Sequence, residues 1–418
     1  MKVPRDFLRL TAADFIVRSG YQMGKTPTLP ILAASLGATD LFLGLVISVS
    51  TLTGLLLKPL VGLLSDRQGR RHWLLAGTAF FVLMPLFYRF VISPEQLLLV
   101  RVVHGLATAI YGPVTLASIA ELRSSGVAER LGWFGLARSG GYIVGPALAG
   151  WLLLRHDPVA VYTIIGLSSA LALVPVLQVQ NGRMPSPATQ VPLLRQWRES
   201  LWSAGRTSGI WLAGALELAV FVALYALKTF LPVYALAAGT NVALVGLFFS
   251  VQEAAHLLAR PSGGCLADRM GNGPAIAAGL LLLAAGLAAL PLAEGSALLV
   301  PAVVTGIAQA LVFPATLSLV TRQIPAGSLG AAMGLVGMLQ NLGKVLGPLA
   351  AGLLIGGIGF ESLLWLLAIL LAAGVVVSVM IGRPGAASLR DGMRLIGGSG
   401  DEAGPRKTAA RNPQTLSP

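Results

Sequence analysis

The sequence predicts an all-α membrane protein of 12 transmembrane helices in two pseudo-symmetric six-helix bundles. Three observations predict it. Of 418 residues, 55% are hydrophobic and only 11% charged, where soluble chains carry about 25% charged residues. Twelve apolar runs reach the ~20 residues that a helix needs to cross a bilayer. The second half of the chain repeats the first at an offset near 202.

The runs lie near 7–35, 43–64, 73–91, 96–119, 131–153, 159–178, 209–236, 242–265, 274–293, 297–320, 328–355 and 361–381. The first is too long for a signal-peptide core and lacks a small-residue cleavage site. Glycine and proline interrupt several runs, as membrane helices tolerate. With both termini cytoplasmic, the cytoplasmic segments hold 20 Lys and Arg and the outer segments hold two, Arg89 and Arg155. That asymmetry fixes the expected topology. It implies an integral multi-pass protein of the bacterial inner or plasma membrane.

The expected domains are an N-terminal bundle (1–178), a cytoplasmic linker (179–208), a C-terminal bundle (209–382) and a tail (383–418). In the linker, Leu193, Leu194, Trp197 and Leu201 stand at helical spacing opposite Arg195, Arg198 and Glu199. The stretch reads equally as an amphipathic helix on the inner leaflet or as an irregular loop. The tail has no apolar face and is expected to be disordered.

Composition also excludes functions. The net charge of +13 is spread through short gaps between apolar runs rather than gathered in one patch, which argues against nucleic-acid binding. The single cysteine, Cys265, leaves no disulfide framework and reads as a packing residue. No phosphate-binding loop and no His/Cys cluster occurs, so neither an ATP motor nor a metal or other cofactor is expected. No enzyme constellation is recognisable. The absence of an N-x-[ST] acceptor fits a bacterial membrane.

The repeat is specific. Gly44, Lys58, Pro59, Gly62, Asp66, Arg67 and Gly69 align with Gly246, Arg260, Pro261, Gly264, Asp268, Arg269 and Gly271. Gly141, Gly145, Pro146 and Gly150 align with Gly343, Gly347, Pro348 and Gly352. An even number of spans per half gives both halves one orientation, with a cavity between them and alternating access by rocking.

These residues resemble the major facilitator superfamily of secondary transporters, over about residues 7–382. Gly62-Leu-Leu-Ser-Asp66-Arg67-Gln-Gly69-Arg70-Arg71 is similar to that superfamily's signature loop, G-x-L-x-D-R-x-G-R-[RK]. Gly62, Asp66, Arg67, Gly69, Arg70 and Arg71 are therefore expected to gate transport. The second copy lacks the basic pair. Arg101-Val-Val-His104-Gly105 is similar to a pattern associated with proton coupling. Gly141, Gly145, Pro146 and Gly150 are similar to the Gly-Pro pattern of proton-coupled antiporters in the drug-efflux branch. Small residues at this spacing also serve any close helix crossing.

Charged residues inside spans are costly and point to function. The proton-coupling candidates are Asp14, Glu217, Glu253, His256 and Arg101, and the substrate-binding candidates are Lys25, Lys228 and Arg18. Asp14 and Lys25, like Glu217 and Lys228, are eleven residues apart, close to three helical turns and so on one face. If the first and seventh spans face each other, as the resemblance implies, the two lysines oppose one another and make an anion site. Alternatively each lysine pairs within its bundle, and Arg18 pairs with Asp14 one turn away. Arg138 or Lys344 are alternative partners for Glu253.

The expected function is a monomeric secondary transporter whose partners are a small-molecule substrate, protons and the bilayer, working by proton-coupled export. Proton- or anion-coupled uptake of an organic anion is an alternative. A non-transporting receptor or scaffold on the same fold is another, opposed by the intact first signature loop.

Overall fold

The computed structural model describes residues 5–122, 126–179, 205, 207–324 and 329–381. The expected amphipathic stretch at 193–201 and the tail lie outside these residues. Among the described residues every regular element is a helix. Ten helices are long and apolar enough to cross a membrane: the second span Asp40–Gln68, third Arg70–Phe90, fourth Pro94–Glu121, sixth Pro158–Leu177, seventh Gly209–Ala237, eighth Val242–Met270, ninth Asn272–Leu292, tenth Gly295–Thr321, eleventh Ala331–Ile358 and twelfth Phe360–Val379.

The first and fifth spans complete the twelve, and both are less apolar for a visible reason. The first runs Arg5–Met23, opens into a wide turn at Gly24–Thr28 and resumes at Leu29–Ser35. It carries Asp14, Arg18 and Lys25, all buried. The fifth, Val127–Leu152, contains Arg138 and six glycines. Both spans turn their polar residues inward, where other helices cover them.

Local sequence explains where the spans begin. The second, fourth, sixth and eighth start after Thr39, Ser93, Asp157 and Asn241, whose side chains accept hydrogen bonds from Phe42, Gln96, Ala160 and Ala243 N–H. These caps satisfy amide groups that a helix start leaves open. The third and ninth start after Gly69 and Gly271, at φ +92° and +90°. That left-handed region suits glycine, so both halves turn on the same residue at the same place.

Within each half, neighbouring spans pack in matching pairs: first on fifth and second on fourth, then seventh on eleventh and eighth on tenth. The two most extensive contacts between the halves are second span to eleventh and fifth to eighth, with a smaller one between the first and seventh. The two large contacts are related by the sequence repeat. A Cβ at Gly44 would sit 2.2 Å from Pro348 O, and one at the equivalent Gly246 would sit 2.3 Å from Pro146 O. A Cβ at Gly352 would meet Asp40 O at 2.5 Å, and one at Gly150 would meet Val242 O at 2.9 Å. Only glycine lets the backbones approach so closely.

All four contacts lie at the end where the second and eighth spans begin. At the opposite end, which carries the Asp66-Arg67 and Asp268-Arg269 loops, Gly62, Gly132, Gly135, Gly334 and Gly337 have nothing within 4 Å of a Cβ position. The apolar core follows the same division. One cluster runs through both halves, while a second, built around Leu10, Val17, Phe81 and Phe134, lies wholly within residues 7–179. The molecule is therefore clamped at one end and parted at the loop end. Cys265, expected to pack, is instead exposed. The small residue that meets the tenth span there is Gly263, whose Cβ position abuts Ala310.

Candidate functional site

The partners of the intramembrane charges separate them into distinct groups, one of which spans the two halves. Asp14, on the first span, accepts two hydrogen bonds from the Arg138 guanidinium at 2.8 and 2.9 Å. Arg18 lies 3.8 Å from the same carboxylate. The partner one turn away on the same helix is thus the weaker one. The fifth span reaches Asp14 because it lies directly against the first: Cβ positions at Gly141 and Gly145 would meet the backbone of Ser19 at 3.1 and 2.8 Å.

The second group surrounds Tyr225 of the seventh span. The Lys25 ammonium lies 4.7 Å from this ring's centre and that of Lys228 lies 5.8 Å from it, both within the reach of a cation–π contact. The two lysines therefore share one aromatic ring across the interface. Their charges are treated differently. Lys228 donates to Glu253 at 2.8 Å, and His256 Nδ1 lies 3.8 Å from the same carboxylate. Lys228, rather than Arg138 or Lys344, neutralises Glu253. Lys25 stands within the wide turn, where Tyr162 donates to Gly24 O at 2.7 Å and Thr28 to Met23 O at 2.7 Å. Gly24 O also accepts from Leu29 N–H, so the side-chain bonds add to the turn's own backbone hydrogen bonding. Beyond Lys25 the backbone leaves helical geometry at Thr26, at φ −149° and ψ 117°.

Glu217 makes the third group. Its side chain is buried, and its partners are neutral: the Thr316 hydroxyl on the tenth span and the Gln340 amide on the eleventh. Thr316 Oγ1 also lies 3.1 Å from Val312 O and 3.0 Å from Phe313 O. A hydroxyl has one hydrogen and two lone pairs. It can donate to a carboxylate, or turn its hydrogen to a backbone carbonyl and accept from a carboxylic acid. Glu217 therefore keeps a hydrogen-bond partner whether charged or neutral. The neighbouring Lys344 is turned to the Phe221 ring, 4.5 Å from its centre.

Arg101 is buried in the fourth span. It donates to Val46 O and the Tyr88 hydroxyl, each at 3.4 Å, and to Ser50 Oγ. In the signature loop, Asp66 and Arg70 pair at 2.9 Å and Arg70 also reaches Glu121 at 2.6 Å. Arg71 donates to Leu177 O at 3.1 Å. The loop thus ties the second, third, fourth and sixth spans at the parted end. Asp268 and Arg322 make the looser counterpart, at 3.5 Å.

Tyr225, Thr316, Gln340 and Tyr88 were not singled out by sequence. All four are uncharged, and polar neutral residues in a span carry no cost large enough to mark them. Only the tertiary fold brings them to the charges.

The family description Major Facilitator Superfamily matches this chain over residues 15–251 and 216–396. An uncharacterised MFS-type transporter of Methanocaldococcus jannaschii is 24% identical, over 81% of this chain and 88% of its own length. The quinolone resistance protein NorA of Staphylococcus aureus is 26% identical over 30% of this chain and 33% of its own length. Among solved structures, the nucleoside transporter NupG superposes with a TM-score of 0.77 at 14% identity, covering 90% of this chain and 98% of NupG. At that identity the likeness concerns the fold.

Proposed function

The chain belongs to the major facilitator superfamily, and on that premise we propose that it is a proton-coupled exporter of a small organic molecule in which Glu217 carries the proton. The observation behind this reading is the partner set of Glu217. Asp14 and Glu253 each face a cation at 2.8 Å, so protonating either would strand a buried positive charge. Glu217 can be neutralised without breaking a direct ion pair, because Thr316 and Gln340 are neutral and remain bonded and the nearby Lys344 rests against the Phe221 ring. A coupling carboxyl must take up and release a proton while buried. Export draws its support from the resistance relative, NorA.

The distribution of Lys and Arg supports both termini in the cytoplasm, which makes the parted end the cytoplasmic one and the described conformation inward-facing. Alternating access then closes the loop end and opens the glycine clamp. Uptake of an organic anion is the second reading, favoured by Lys25, whose described partners are aromatic rings rather than a carboxylate. The test is transport in proteoliposomes under an imposed proton gradient, screened with anionic and cationic compounds. Gradient-driven accumulation that Glu217→Gln abolishes, while counter-exchange of the same compound survives, supports the reading. Gradient-driven transport that survives Glu217→Gln overturns it.

A further inference from the structure

Every carboxylate within the described interior of the spans is engaged: Asp14 by Arg138, Glu253 by Lys228, and Glu217 by Thr316 and Gln340. Two buried cations beside one another are left without one. Lys25 and Arg101 are 9% and 1% exposed, and their described partners are aromatic rings, hydroxyls and a backbone carbonyl. Buried charges in proteins are ordinarily paired. Here both line one small cavity, with His104, Tyr21, Gly20 and Gly24.

His104 adds a directed donor. Its Nδ1 lies 3.1 Å from the Tyr88 hydroxyl, and its Nε2 is buried without a hydrogen-bond partner. The Tyr88 oxygen accepts from Arg101 Nη1, so its own hydrogen is free to go to Nδ1. With that hydrogen on the Tyr88–Nδ1 bond, the ring proton sits on Nε2 and is an unused N–H. The Arg101 guanidinium has five N–H groups, of which its three described hydrogen bonds account for three. The cavity thus collects an ammonium, spare guanidinium hydrogens and an imidazole N–H, with no anionic acceptor of its own.

We propose that Lys25, Arg101 and His104 form a binding site for a single monovalent anion, either a halide or the carboxylate of a transported molecule. The cavity volume of about 10 Å³ is that of one water-sized group: a single carboxylate oxygen fits as it stands, a halide needs slight widening, and a larger polyanion is excluded. Lys25 also touches Tyr225 of the opposite half, so a larger molecule could place its head group in the cavity and its body between the halves. The proposal rests on the transport reading and deepens it, since it assigns a ligand class to a cavity of the N-terminal half that Lys25 connects to Tyr225 of the other half. It stands apart from proton coupling through Glu217, which lies in the other half.

The experiment is equilibrium binding of radiolabelled benzoate and radiolabelled chloride to the purified detergent-solubilised protein, without any gradient. Wild type, Lys25→Met and Arg101→Lys are compared, each checked for monodispersity and melting temperature. Saturable binding of at least one anion is expected, weakened roughly tenfold or more by either substitution, the scale of losing a hydrogen bond to a charged group. Benzoate binding identifies the source as an organic carboxylate, and chloride binding alone identifies it as an inorganic ion. If Arg101→Lys does not fold, Lys25→Met decides. Absence of saturable binding by folded wild type, or binding unchanged in Lys25→Met, overturns the proposal. Because no gradient is imposed, either result leaves the test of proton coupling unaffected.

Discussion

Replacing Gly246 by alanine tests whether the glycine clamp sets the conformational equilibrium. A Cβ there would lie 2.3 Å from Pro146 O and 2.9 Å from the Gly150 Cα, whereas ordinary contact begins at 3.4 Å. Both neighbours are backbone, so no rotamer change relieves the clash, and the eighth and fifth spans must separate by about 1.1 Å. Alanine also favours a helix over glycine by ~1 kcal/mol, but the helix exists in both conformations and that gain cancels. What remains is the overpacking cost in the clamped state, about 1–3 kcal/mol, absent once the clamp opens. The open-clamp population should rise about 5- to 150-fold. Spin labels at Ser35 and Ala238, exposed positions at the clamped ends of the first and seventh spans, would report it by pulsed electron–electron distance measurement, with Cys265 first replaced by serine. The distance distribution should gain a longer component in Gly246→Ala and in its repeat counterpart Gly44→Ala. An unchanged distribution in both variants would refute the reasoning.

Three further outcomes follow from the ion pairs and the loop. Arg138→Met should lower the melting temperature in detergent, by the equivalent of at most ~3–5 kcal/mol, because it leaves the buried Asp14 carboxylate with Arg18 alone, 3.8 Å away; the double variant with Asp14→Asn should recover part of the loss. Asp66→Asn should leave the melting temperature almost unchanged, since Asp66 is 55% exposed and such pairs contribute at most ~1 kcal/mol, yet it should slow transport at matched expression. Glu253→Gln should weaken a cationic substrate and leave gradient dependence intact, because it frees the Lys228 charge at the interface; loss of gradient dependence in that variant would move the coupling role away from Glu217.

Much of the fold was legible in the sequence because its signals are strong and local. Apolar runs and the repeat of Gly44 and Pro146 in Gly246 and Pro348 each state a physical requirement directly. The charges were equally visible, since a bilayer makes each one costly. Their pairing was not. Asp14 and Arg138 are 124 residues apart and Lys228 and Glu253 are 25 apart, and nothing in either separation marks a contact. Sequence spacing offered Arg18 to Asp14, but the guanidinium geometry favours the neighbouring span. The neutral partners of Glu217 were beyond sequence reasoning, because a threonine and a glutamine in membrane spans acquire meaning only when a carboxylate is placed between them.

The central claim is that Glu217 exchanges a proton within a neutral hydrogen-bonded pocket. Infrared difference spectroscopy of the reconstituted protein, acid minus alkaline, reads it directly through the carbonyl stretch of a protonated carboxylic acid, with no substrate required. A carboxylic-acid band that titrates in wild type, shifts in Thr316→Val and vanishes in Glu217→Gln is the predicted result. A band that persists unaltered in Glu217→Gln would contradict the claim and place the proton elsewhere.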